Sequence, residues 1–403
     1  MQSSSRGWLV VLAGVGVNLT LGILYTWSVI AKQLTEQLNW TNTQATLPYT
    51  IAIAMFAVWM WPAGRMQDKY GARIVATVGG ALCGGGLIIA SLSPTPLMVT
   101  IGFGLLTGSG IGLAYAASTP VAIKWFPPSK KGLITGIVVT GFGAAPVYAS
   151  PLAKFLLGTY GVEKSFMILG VSFMVISVLL AQLLNPPPVT EVKPAANAGP
   201  APVTARQYEA KEMLRTSQFY ALWVIFMCSA LAGLMVIGHA AKIMALKGAN
   251  WGFVLVAVLA IANAGGRLIA GAISDKLGRT RTMFFMFAPS AAVLGILSFL
   301  NSPMLVAAAL IIVGFAYGSS VALIPSATAD YFGTKNLGTN YGIVFTGWGV
   351  GGVFGPMLAS YMVDLTGTYS TAYVVAALLS AIAAVLSIMT KAPVEQMQLR
   401  KTA

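Results

Sequence analysis

Runs of about 20 apolar residues, each long enough to carry a helix across a bilayer, recur about twelve times along this chain. They begin near Trp8, Asn42, Ala72, Leu97, Gly132 and Ser165, then near Ser217, Trp251, Thr282, Pro303, Asn336 and Ser370. Hydrocarbon offers no partner to a backbone N–H or C=O, so such segments close their hydrogen bonds internally as helices. Of the 403 residues, 57% are hydrophobic and only 8% charged, against about 25% charged in soluble domains. The expected fold class is an all-α membrane protein of twelve transmembrane helices.

The net charge of +14 is a topology signal and does not point to nucleic acid. With the N-terminus inside and the spans alternating, eighteen of the 24 Lys and Arg residues fall on the cytoplasmic side. Among these are Arg65, Lys69 and Arg73, Lys124, Lys130 and Lys131, and Lys276, Arg279 and Arg281. Lys32, Lys154, Lys164, Lys242 and Lys247 fall at or near the outer face. That asymmetry predicts both termini in the cytoplasm of a multi-pass cell (inner) membrane protein. Cys83 and Cys228 stand alone in apolar runs of different halves and read as packing residues. MQSSSRG is a polar leader without a cleavage pattern, so Trp8 onward reads as a retained first span.

One cation remains. Trp251–Ile273 reads WGFVLVAVLAIANAGGRLIAGAI, and Arg267 is its only charge. An arginine at the centre of a membrane helix costs about 2.5–3.5 kcal/mol on insertion scales, and a guanidinium in a protein keeps its proton. No Asp or Glu occurs within a long apolar run. The partner expected for Arg267 is therefore an anionic substrate. The run looks as if it ends near Gly271, which would also allow the side chain to reach the interface.

Residues 186–215 include a Pro- and Ala-rich polar stretch and divide the chain into six-span bundles at 1–185 and 216–403. Within this linker region, Tyr208–Phe219 suggests a short amphipathic helix, and Ser217 an N-cap for the seventh span. The halves repeat at an offset of about 206 residues. GRMQDKYGAR (Gly64–Arg73) matches GAISDKLGRT (Gly271–Thr280), and GIVVTGFG (Gly136–Gly143) matches GIVFTGWG (Gly342–Gly349). Trp125-Phe126 corresponds to Tyr331-Phe332. Parallel repeats of this kind hold a substrate near the midplane between two halves that rock about it.

The paired loops and the Gly- and Pro-rich fifth and eleventh spans resemble the signatures of the major facilitator superfamily. A narrower resemblance, to the oxalate/formate antiporters and related monocarboxylate transporters, is carried by four segments. These are KWFPPSKKG (Lys124–Gly132), EMLRTSQFYALW (Glu212–Trp223), NAGGRLIAGAISDKLGR (Asn263–Arg279) and ALIPSATADYFG (Ala322–Gly333). The resemblance implies that Arg267 binds the substrate carboxylate. It also implies that Trp348 stands where the oxalate transporter carries a second cation, a lysine. One fixed cation suits one carboxylate, which favours a monocarboxylate such as lactate.

Asn263 precedes Arg267 by one turn, where animal monocarboxylate transporters carry a proton-handling aspartate. Asparagine does not ionise, so it is read as holding the guanidinium or a substrate hydroxyl, or as an interhelical hydrogen bond. Tyr25, Tyr115 and Tyr317 fall in spans that line the cavity in this superfamily, with Leu24 and Leu113 as candidates for an apolar wall. His239, the sole histidine, is either a proton-coupling group or an interfacial residue, and the proton could instead travel with the substrate. Asp68 with Arg73, and Asp275 with Arg279, read as conformational latches. The glycine-dense third and fourth spans read as packing faces and not nucleotide loops.

No cofactor or metal is implied. A lone histidine without membrane carboxylates gives no nucleophile–base pair, which excludes an enzyme. A channel would need rings of like residues or a pore loop. The sequence therefore predicts a monomeric secondary transporter for a small organic anion, driven by a proton. An oxalate/formate-type exchanger is the alternative.

Overall fold

Each apolar run is helical in the computed structural model, which describes residues 2–188, 206–249 and 251–393. Spans 1 to 4 are Ser5–Leu38, Thr43–Tyr70, Ala72–Leu92 and Pro96–Ile123. Spans 7 to 12 are Ser217–Ile237, Val254–Leu277, Arg279–Phe299, Pro303–Phe332, Leu337–Thr366 and Ser370–Met389. Between them lies Pro128–Ala181, which brings the continuous candidates to eleven. Its helical part, Lys131–Ala181, has 51 residues and would reach about 76 Å if straight, against about 30 Å of hydrocarbon. It turns back at Gly161, whose φ of 76° interrupts the helix, and its arms are spans 5 and 6. Among the described residues there is no strand. Large side chains such as Leu12, Val58, Leu92, Phe155, Leu179 and Leu378 point outward at 45% exposure or more. In water such an apolar surface would be a liability; in a bilayer it is the solvated face.

The two halves meet along two seams, span 5 against span 8 and span 2 against span 11. Both seams are made of glycine. Gly136 lies on the Arg267 carbonyl and Gly271 on that of Gly132, while Gly342 lies on the Met60 carbonyl and Gly64 on that of Gly338. A Cβ at any of these positions would overlap backbone that has nowhere to move. Spans 3 and 4 approach in the same way, Gly79 on the Gly110 carbonyl and Gly86 on that of Gly102. The GxxxG spacing there is a packing device, as its sequence suggests.

Three local expectations are corrected. Span 8 does not end near Gly271: the helix runs Gly252–Leu277, because that glycine serves close packing and not a turn. Arg267 is thus ten residues, about 15 Å, from the helix end, too deep to reach the interface. The N-cap of span 7 is Thr216, whose hydroxyl accepts from the Phe219 N–H at 3.3 Å, and not Ser217. Capping requires extended backbone at Thr216, so the amphipathic helix expected over Tyr208–Phe219 shrinks to one turn, Ala210–Met213, boxed by Glu209 and Glu212. Much of the Pro- and Ala-rich linker lies outside the described residues.

A side chain at Gly64 cannot coexist with a closed span 2–span 11 seam. Gly64→Val is expected to hold this end open and to raise labelling of a Gln67→Cys probe by a water-soluble maleimide several-fold. Cys83 and Cys228 are buried and leave a low background. Labelling no faster than in the Gly64 parent would show that this seam is not the closing contact.

Candidate substrate site

Span 8 is helical through Arg267, so Asn263 stands one turn away on the same face. The Arg267 Nε donates to Asn263 Oδ1 at 2.8 Å. Its Nη1 donates to the Val139 carbonyl of span 5 at 2.7 Å, so the guanidinium spans the seam between the halves. The residue is only 1% exposed. Gly143 makes the room: a Cβ there would come within 2.9 Å of Nε. The Phe142 ring lies 5.9 Å from the guanidinium carbon, a cation–π distance. Among the described residues no carboxylate pairs with Arg267, and no acceptor is recorded for its Nη2.

An aromatic chamber surrounds the free edge of this cation. Arg267 shares a cavity with Tyr25, Phe56, Tyr115, Phe142, Phe345 and Trp348, closed on one side by Val321. Its free volume is about 10 Å³, room for about one water. The rings interlock, with centroids 5.2 Å apart for Phe56 and Tyr115 and 4.9 Å for Phe345 and Trp348. The indole of Trp348 donates to the Tyr317 hydroxyl at 2.9 Å, which lies 2.9 Å from that of Tyr25. Since Tyr317 accepts from the indole, its own proton can go to Tyr25, leaving the Tyr25 proton free to point into the chamber.

The structure therefore brings Arg267, Asn263, Tyr25, Tyr115, Tyr317 and Trp348 together. Leu24 and Leu113 are buried but do not line this cavity; Val321 and the phenylalanines form its apolar wall instead. Sequence reasoning missed Phe56, Phe142 and Phe345, because a phenylalanine in an apolar run carries no mark of its function. It also missed Gly143, although the repeated T-G-F-G and T-G-W-G segments pointed there.

At the end of the bundle that carries the Asp68 and Asp275 loops, carboxylates bridge the seams. Asp68, in the last turn of span 2, accepts from the N–H groups of Gly338 and Thr339 at 3.3 and 2.7 Å, and from the Thr339 hydroxyl at 2.9 Å. Asp275 accepts from the N–H groups of Gly132 and Leu133, each at 2.8 Å. Each carboxylate thus caps a helix N-terminus of the opposite half, where unpaired N–H groups and the helix dipole both favour an anion. The two carboxylate contacts are unequal. Arg279 pairs with Asp275 and with Asp330 of span 10, both at 2.8 Å, and Asp330 also reaches Lys131 of the other half at 3.1 Å. The position matched to Asp330 by the repeat is Lys124, and Arg73 turns to Gln182 within its own half at 2.7 Å. Asp330 could have been found as the carboxylate closing the ATADYF run.

His239 lies apart from this site, between spans 7, 11 and 12. Its Nε2 meets the Pro356 carbonyl at 3.2 Å and its Nδ1 the Tyr369 hydroxyl at 2.9 Å. A carbonyl only accepts, so the neutral ring carries its proton on Nε2 and takes the Tyr369 proton on Nδ1. Burial pushes its pKa below the usual 6.5, and Lys242 adds to that, while the bond to Pro356 opposes it. The resulting stabilisation is fully present above pH 6.5 and is lost as pH falls through the depressed folded value. The midpoint of thermal unfolding is expected to drop more steeply between pH 7.5 and 5.5 in the wild type than in His239→Gln. Equal slopes would remove His239 as the acid-sensitive group.

The chain matches the family model for the Major Facilitator Superfamily over residues 9–287 and 245–402. It is 31% identical over 356 residues to an uncharacterized MFS-type transporter, YhjX, of Escherichia coli (strain K12), covering 86% of each chain. It is 29% identical to the oxalate:formate antiporter of Oxalobacter formigenes, covering 95% of this chain and 91% of the relative. Monocarboxylate transporter 11 of Mus musculus is 26% identical over 92% of this chain and 84% of its own. In fold it resembles FucP in the outward conformation, with a TM-score of 0.73 at 15% identity over 94% of this chain and 98% of the other. The proton:xylose symporter XylE gives a TM-score of 0.71 at 14% identity over 95% of each. The chain belongs to the Major Facilitator Superfamily, a family of transporters and not enzymes.

Proposed function

We propose that this transporter carries a small monocarboxylate, such as lactate or pyruvate, together with a proton by alternating access. The observation that carries the reading is Arg267: a buried cation, bound only to neutral acceptors, with an Nη edge turned to an aromatic chamber. A planar fork of N–H donors suits a carboxylate bidentately. The rings of Phe56, Phe142 and Phe345 suit a short alkyl tail, and the Tyr25 hydroxyl supplies one more donor. The relatives named as antiporters and transporters of carboxylates support an organic anion.

The same chamber speaks against a dianion. Trp348 occupies the wall of span 11, so a second carboxylate would face indole and phenyl rings with no cation. A buried unpaired charge is strongly disfavoured. In the halves-closed form the free volume is about one water, so substrate binds only as the halves part. Once a carboxylate neutralises the guanidinium, the site can close at lower cost than with the bare charge. That differential is what allows the substrate to shift the access equilibrium. His239 lies away from the chamber, which favours a proton travelling with the substrate carboxyl or on a water beside Arg267.

With the basic loops facing the cytoplasm, the latched end is the cytoplasmic end, both termini are inside, and the chain acts as a monomer in the cell inner membrane. The residues committed to substrate are Arg267, Asn263, Tyr25, Tyr115, Tyr317 and Trp348, and those committed to latching are Asp68, Asp275 and Arg279.

Uptake of labelled lactate into proteoliposomes tests this reading. Arg267→Lys keeps the charge but loses the fork, and is expected to reduce uptake by at least about tenfold, which corresponds to 1.4 kcal/mol. Acid outside the vesicles should accelerate uptake, and acid inside should drive net efflux. Undiminished uptake by Arg267→Lys would overturn the carboxylate role, and indifference to the gradient would remove the proton. Trp348→Lys is expected to admit labelled oxalate; wild-type counterflow of oxalate at lactate rates would instead establish the exchanger.

A further inference from the structure

The segment that joins the halves is built, at both its ends, into the surfaces that meet the latch carboxylates. At its start, the Asn185 carbonyl accepts from the Trp125 indole N–H at 2.8 Å. Trp125 lies just past span 4, in the loop that leads to Gly132 and Leu133, the partners of Asp275. At its end, Gln207 and Tyr208 grip the loop between spans 10 and 11, which leads to Gly338 and Thr339, the partners of Asp68. Trp125-Phe126 and Tyr331-Phe332 are matched positions of the repeat. Each receiving loop is thus held at the same place by a different end of one linker.

The second grip is the drier one. The Tyr208 N–H donates to the Phe332 carbonyl at 2.9 Å, and the Lys335 N–H donates to Gln207 Oε1 at 2.8 Å. Between them the loop turns at Gly333, whose φ of 85° suits glycine and where a Cβ would overlap the Gln207 amide. The Tyr208 carbonyl then accepts from two side chains, Asn336 Nδ2 at 3.1 Å and Asn340 Nδ2 at 3.0 Å. Those asparagines stand one turn apart, joined by the bond from the Asn340 N–H to the Asn336 carbonyl at 2.9 Å. One carbonyl therefore pins both ends of the first turn of span 11, and the residues between are Leu337, Gly338 and Thr339. Asn340 is fully buried, so water does not compete for its amide, whereas the Trp125 bond is exposed.

The first N–H groups of a helix have no partner within it, and an untied helix end frays. Asp68 meets two of them, those of Gly338 and Thr339, and one carboxylate can do so only if both are held in one orientation. We infer that Asn340 and the Gln207–Tyr208 strap are positioning residues for the Asp68 contact. They fix the first turn of span 11 so that its N–H groups converge on the carboxylate, and thereby set how readily this end opens. Asn340 lies outside the chamber lining and acts only through the helix end it ties. The linker is then more than a tether, since its last residues belong to the machinery that opens and closes one seam. The inference rests on the latching role proposed above for Asp68 and is indifferent to which anion is carried.

Labelling of the Gln67→Cys probe by a water-soluble maleimide reads opening at this end without any substrate. Asn340→Leu keeps the size of the side chain and removes the amide. It is expected to raise labelling about fivefold, the scale of one hydrogen bond. Gln207→Ala, which deprives the Lys335 N–H of its acceptor, is expected to raise it about twofold, and it stands in should Asn340→Leu fail to fold. The deciding comparison is made in carboxylate backgrounds. With Asp68→Ala, neither substitution should add more than about 1.5-fold, because the N–H groups it orients have lost their acceptor. With Asp275→Ala the full rise should persist, since that carboxylate lies on the other seam. Equal rises in the two backgrounds would overturn the inference and make Asn340 an ordinary stabilising residue, as would unchanged labelling in the folded single variants. Asp68→Ala alone separates the two ideas. If it leaves labelling at the parent rate, the latching role itself fails; if it raises labelling while Asn340→Leu and Gln207→Ala do not, only the strap falls.

Discussion

A single guanidinium, buried in the seam between two halves and bonded only to neutral oxygens, sets the terms for the rest of this protein. Arg267 donates one hydrogen bond within its own helix and one to the opposite half. Hydrogen bonds to a charged group contribute about 1.5–3 kcal/mol each, which offsets part of its desolvation but leaves the charge. To reach Val139 at all, span 5 must run against span 8 at backbone distance, and Gly132, Gly136, Gly143 and Gly271 permit that. The glycine-rich seam and the isolated cation are therefore one arrangement. A larger residue at Gly143 would displace the guanidinium, and one at Gly136 would displace the helix.

The contacts that close the molecule are of a different kind from those that hold it together. Within each half, apolar side chains and close-packed glycines give contacts that persist whichever end is open. Between the halves at the latched end, the bonds are carboxylates on helix N-termini, strong in a dry seam and replaceable by water once it opens. The two latches differ in what backs them. Asp275 belongs to a network with Arg279, Asp330 and Lys131, two of whose members lie on opposite halves. Across its seam, Asp68 has among the described residues only the N–H groups of Gly338 and Thr339 and the Thr339 hydroxyl, and the attracting charge of Lys124 lies in its own half. The seam between spans 2 and 11 is thus the one with less to break.

How much of this the sequence discloses depends on whether a residue differs from its surroundings. The spans, the internal repeat, Arg267 and the two Asp loops stand out because charge or glycine interrupts hydrocarbon. Asn263 is legible through its spacing from Arg267. The chamber's phenylalanines are not legible, since they resemble every other apolar residue of a membrane helix and acquire a role only where two halves converge. Gly271 was misread as the start of a loop because a glycine beside an Asp-Lys-x-Gly turn resembles a helix end. Only the carbonyl of Gly132 facing it explains its presence in mid-helix. Leu24 and Leu113 show the converse: the right composition for an apolar wall, on faces that the helix rotation turns elsewhere.

Trp348 links the count of charges to the direction of movement. Its indole anchors Tyr317, and through it Tyr25, in one hydrogen-bonded line across the top of the chamber. Those bonds connect span 11 and span 10 to span 1, so they tie the halves together on the side away from the latches. A substrate that takes the Tyr25 proton polarises this line without breaking it, because each hydroxyl can accept from the next. Each hydroxyl in the line strengthens the next as a donor, so a ligand that accepts from Tyr25 would reinforce contacts that already join the two halves on this side of the chamber.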